Sequence, residues 1–92
     1  MAQNTTVAVG TSWVQSTNAD ATTVTFQNTG ESPIWIKGTT DTTPPTNTTG
    51  AIRFDPHSGE RSTTIAELFV GASFVRLWAI SEWKSTVAIT HA

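Results

Sequence analysis

The sequence predicts a small all-β domain, an antiparallel β-sandwich or barrel of about six to eight short strands. Three observations carry this. Threonine, which favours strands, makes up roughly a fifth of the 92 residues. Short alternating runs such as "VTFQN" and "RLWAI" recur between clusters of Gly, Pro, Asn and Asp. Charged residues are only 13%, against a usual share of about 25%, beside four Trp and four Phe.

The elements follow in order. Thr5 to Val9 alternates and reads as a first strand, which Gly10 breaks; Trp13 to Gln15 is a short second run. "STNAD" at 16–20 is turn chemistry. In Ala21 to Asn28, Val24 and Phe26 share one face, while Thr23, Thr25 and Gln27 share the other. "NTGESP" makes a turn, with Asn28 and Gly30 suited to positive φ. Pro33 opens the next strand, where Ile34 and Ile36 oppose Trp35 and Lys37. The polar stretch "GTTDTTPPTNTTG" follows at 38–50. Pro44 and Pro45 lack an N–H, so they leave any central ladder and stiffen a Thr/Pro-rich loop at 39–49. Ala51 to Asp55 is a strand with Ile52 and Phe54 on one face, and "DPHSGE" is a tight turn. Arg61 to Ile65 continues as strand. Thr64 and Glu67 have capping-box spacing, Ile65, Leu68 and Phe69 sit at helical spacing, and Gly71 could stop the chain there, so a helical turn is expected at 66–69. Phe74 to Ser81 is a strand, "EWK" at 82–84 a hairpin tip, and Thr86 to Thr90 the last strand. The expected interior is Val24, Phe26, Ile34, Ile36, Ile52, Phe54, Val75, Leu77, Val87 and Ile89.

Length and composition bound the function. Residues 1–92 make one domain, small enough that a partner subunit would complete a marginal core. With no cysteine there is neither a disulfide framework nor a thiolate metal site. A net charge of -2 without a basic run argues against nucleic acid. No segment approaches the roughly 20 apolar residues of a membrane span. "MAQNTTVAVG" carries neither the basic nor the apolar part of a secretory signal.

Candidate chemistry is sparse. Asp55, His57 and Ser58 suggest a hydrolase triad, but they are crowded into one turn beside Pro56, where neighbouring side chains diverge. The same turn cannot easily wrap a metal ion through Asp55, His57 and Glu60. "NTT" at Asn4 and Asn47 fits the glycosylation pattern, which arises readily by chance in so Thr-rich a chain. We therefore expect no catalytic residue, cofactor or metal ligand. The tryptophans say more. Phe74, Arg76, Trp78 and Ile80 share one strand face, and Val75, Leu77 and Ala79 the other, so neither face looks wet. Trp35 beside Lys37 repeats this pattern. Either these residues complete the domain's own packing, or a neighbouring subunit covers them. On the second reading the interface comprises Trp35, Lys37, Pro44, Pro45, Arg76, Trp78 and Trp83.

The ordered pieces "VTFQNTGESPIWI", "TTPPTNTTG", "AIRFDPHSGE", "AELFVGASFVRLWAI" and "VAITHA" resemble a pattern in small phage and prophage virion proteins, frequent beside alphaproteobacterial head and tail genes. The pattern runs from a strand ending in Q-N-x-G, through P-I-aromatic-I and a Thr/Pro loop, to a C-terminal V-x-V-[ST]-H-A. The similarity spans Val24 to Ala92, and departs where "DPHSGE" replaces a plainer Pro-Gly turn. It implies a non-enzymatic virion structural protein, assembled in the bacterial host cytoplasm. Its expected form is a homo-oligomeric, trimeric capsid decoration protein whose partners are its own copies and the major capsid protein. A tail or connector component, or a virion-displayed module that binds carbohydrate through exposed Trp, is the alternative.

Overall fold

A computed structural model describes residues 3–17, 20–70 and 73–91. Its strands are β1 (Gln3–Val9), β2 (Val14–Gln15), β3 (Thr23–Asn28), β4 (Ile34–Thr39), β5 (Ile52–Phe54), β6 (Gly59–Thr64), β7 (Arg76–Ser81) and β8 (Ser85–His91). One helical turn, α1 (Ile65–Leu68), follows β6. The all-β class is as the sequence predicts, and the helical turn lies one residue earlier than 66–69. Thr64 Oγ1 accepts from Glu67 N (3.1 Å) and donates to Glu67 Oε1 (2.9 Å), so the capping spacing is used. Gly71, Asn18, Ala19 and Ala92, which belong to the expected stop, turn and terminal motif, lie outside the described residues.

The strands form two four-stranded antiparallel sheets, β1-β8-β3-β6 and β2-β7-β4-β5. The pairing follows a simple rule: β1 meets β8, β2 meets β7, β3 meets β6 and β4 meets β5. The chain is thus one long hairpin, rolled so that β8 also pairs with β3 and β7 with β4. This is an eight-stranded jelly roll. The tip of the long hairpin is the Thr/Pro loop between β4 and β5. Its length therefore has a topological place, at the point where the chain turns back on itself.

The core lies between the inner faces. Val24, Phe26, Val87 and Ile89 from one sheet meet Ile34, Ile36, Phe54, Leu77 and Ala79 from the other, all buried. Phe26 and Phe54 join the sheets edge to face, with ring centroids 4.9 Å apart. Each such large apolar side chain stabilises the fold by about 1.5–3 kcal/mol. Two expected core residues are only half-buried: Ile52 lies on the edge strand β5, and Val75 precedes β7 in the connection.

At one end, the β1–β2, β3–β4, β5–β6 and β7–β8 connections gather. Asn28 is the joint there. It is fully buried, and its Nδ2 donates to Ser32 O (2.8 Å) and Phe54 O (3.1 Å). Its Oδ1 accepts from Ser85 Oγ (2.7 Å) and Gly30 N (3.1 Å). The expectation of positive φ at Asn28 and Gly30 is not met, since the positive-φ positions among the described residues are His57, Ser62 and Gly50. Gly30 is needed for space instead: a Cβ there would overlap Ser85. In "DPHSGE", Ser58 N donates to Asp55 O (2.9 Å), and His57 takes φ 70° after Pro56. This is a type II turn with His where Gly is preferred.

Candidate functional site

The outer face of the β2-β7-β4-β5 sheet holds most of the residues singled out by sequence. The register sets Trp35 opposite Ile80, Lys37 opposite Trp78, and Thr39 opposite Arg76. On the other side of Trp35 lies Arg53, whose guanidinium sits 5.9 Å from the indole centroid. That separation is at the outer reach of a cation–π contact.

Trp78 is buried within the chain, and its Nε1 donates to Thr39 Oγ1 (2.7 Å). It belongs to the domain's own packing and has little surface left to offer a partner. Arg76 is half-buried, and its Nε donates to Asp20 Oδ1 (2.9 Å) across the mouth of the β2–β3 connection. With Asp20 exposed, this pair adds at most about 1 kcal/mol. Lys37 Nζ reaches Asn47 Oδ1 (3.1 Å), which ties the Thr/Pro loop back onto the sheet. Asn47 Oδ1 also accepts from Thr49 N (3.1 Å), and Asp41 Oδ1 from Thr43 N (2.9 Å), so the loop is braced by its own short polar side chains. Pro44 is exposed and Pro45 half-buried.

The loop roofs this face only partly. Trp35 remains half-buried and lines a groove of about 190 Å³ with Thr48, Ile80, Ser81 and Glu82.

Trp83 stands on a different cleft. It is 69% exposed at the β7–β8 tip. The cleft measures about 400 Å³ and runs between the β3–β4 turn and the end of β1, with Glu31, Lys84, Ala8 and Val9 on its walls. Trp35 and Trp83 therefore do not form one continuous shelf; Glu82 belongs to the first groove and Trp83 to the second. Sequence reasoning passed over Glu31, because its importance comes from the approach of two turns far apart in the chain.

The Asp55, His57 and Ser58 turn is exposed, and the Asp55 carboxylate pairs with Arg53 (3.1 Å). A cavity of about 230 Å³ lies beside it, against Thr25, Gln27 and Arg61. The backbone of this turn is bound to β3: His57 N donates to Asn28 O (2.6 Å), and Gln27 Nε2 donates to His57 O (2.9 Å). The turn is thus clasped to the end of β3, an inner strand of its sheet. Among the described residues no three metal-ligating side chains cluster, and no helix is long and apolar enough to cross a membrane. Comparison with protein-family models, with curated proteins and with solved structures finds no match to this chain.

Proposed function

We propose that this chain is a non-enzymatic structural protein of a virion, a homo-oligomeric and most simply trimeric decoration protein that stabilises a capsid. The observation that carries the reading is the outer face of the β2-β7-β4-β5 sheet. Trp35 and Ile80 lie there half-buried, in a chain with only 13% charged residues, under a loop that covers them incompletely. Covering this face with a second copy removes apolar area from water at about 25 cal/mol per Å². The ordered motifs from Val24 to Ala92 supply the virion context, and jelly rolls are frequent among capsid domains, although they also serve lectins.

Two measurements test this. Light scattering of the purified protein at micromolar concentration should give an oligomer mass, and Trp35→Ser should lower it without changing the far-UV spectrum. An antibody against the protein should label the heads of purified particles. A stable monomer sinks the assembly reading, and label on tails moves the protein to the tail or connector.

A further inference from the structure

We propose that the cleft beside Trp83 is a saccharide-binding site, which takes a neutral pyranose with the indole as its stacking platform. The site is complete within one chain and does not depend on the virion reading.

Its frame is fixed before any ligand arrives. Trp83 N donates to Ser81 Oγ (3.4 Å), which itself donates to Pro33 O (2.9 Å), so the tip is tied to the β3–β4 turn. Of the lining residues, Thr86 Oγ1 is held by Thr29 Oγ1 (2.7 Å), and Ser85 Oγ donates to the buried Asn28 side chain (2.7 Å). Preorganisation of this kind lowers the entropy lost on binding. The volume of about 400 Å³ falls within the usual range of about 300–1,000 Å³ for small-molecule sites.

The lining selects the class of ligand. A pyranose offers one face of C–H groups and a rim of hydroxyls that both donate and accept. Here the indole of Trp83, with the exposed Ala8 beside it, supplies the apolar face. Glu31 and Lys84 supply an acceptor and a donor at the rim, and neither forms an ion pair among the described residues. Their charges cancel, so the lining carries no net charge that would draw in an anion or a cation in preference to an uncharged ligand. A protein partner is less well matched. Nine residues line the cleft, well short of the about 20–30 per side of a standard protein interface.

The test uses ligand-observed saturation-transfer NMR of the full chain with methyl β-glucopyranoside, methyl β-galactopyranoside and methyl α-mannopyranoside. At least one should bind in the millimolar range, with saturation strongest on the C–H protons of one ring face. Trp83→Ala should weaken binding at least tenfold, and Trp83→Phe should retain part of it. Glu31→Gln and Lys84→Ala should each weaken it by about three- to tenfold. Because these side chains are exposed, the far-UV spectrum should not change. The proposal is overturned if none of the three glycosides receives saturation from the parent protein, or if Trp83→Ala binds as well as the parent. It is also overturned if Trp83→Ala lowers the oligomer mass and leaves saccharide binding intact, which would assign the cleft to a protein partner.

Discussion

Asn28 uses its amide fully, as two donors and an acceptor of two bonds, in a place that water does not reach. Truncation would strand Phe54 O and Ser85 Oγ inside the protein, at about 1–3 kcal/mol for each orphaned group. Asn28→Ala should therefore cost about 3 kcal/mol in urea denaturation, and an Asn28→Ala protein as stable as the parent would refute the joint described above. His57 makes the opposite case. An L-residue at φ 70° carries a penalty of roughly 1–2 kcal/mol that glycine avoids. His57→Gly should raise the urea midpoint by an equivalent of about 1 kcal/mol; a lower midpoint would mean that the imidazole holds the turn. Both residues are recognisable in the sequence as turn formers. What the sequence hides is the division of labour, because Asn28 acts through groups up to 57 positions away.

Strands are legible in this sequence because alternation is a local property. Val24 and Phe26, or Ile34 and Ile36, need only their neighbours to declare a face. The irregularities were not legible. Between Val24 and Phe26 the pairing with β6 slips by a residue, Ser62 takes φ 49°, and its N donates to Thr25 Oγ1 (2.8 Å). No residue type in "GERSTT" announces such a bulge. The Thr/Pro loop was legible as a loop, but not its path, since the contact from Lys37 to Asn47 depends on how the nine residues between them bend. We regard the exposed side of this loop as an assembly contact. Its hydroxyls can bond a neighbour without the larger cost of burying charge, and Pro44 and Pro45 limit its unbound conformations. Replacing residues 41–48 by a short Gly/Ser turn should leave the fold intact, shift Trp35 emission to the red and lower the oligomer mass. If mass and particle binding match the parent, the loop is only a connector.

At the scale of the molecule, the pairing order was beyond the sequence, because β1 pairs with β8 across nearly the whole length of the chain and no local pattern encodes that partner. Such non-local pairing implies slow folding. It also places His91, at the end of β8, in a buried position between β1 and β3. Burial lowers its pKa below the usual 6.5. The unfolded chain therefore takes up this proton first, and stability falls as pH drops below about 6.5 until the folded protein is protonated too. Urea midpoints at pH 7.5 and 5.5 should differ in this sense, and by less in His91→Gln; equal differences in the two proteins would exclude this histidine as the cause. The pairing of Gln3 with His91 has a mechanical consequence as well. The two strands run antiparallel, so a load applied through these residues opens their ladder one rung at a time, like a zip. A load applied between Gln3 and Ser85, at opposite ends of the same ladder, strains all its rungs together. Handles attached at residues 3 and 91 should therefore part the strands at a lower force in an optical trap than handles at 3 and 85. The domain would yield easily to tension at that corner while resisting shear along the seam, and equal rupture forces in the two geometries would contradict this picture.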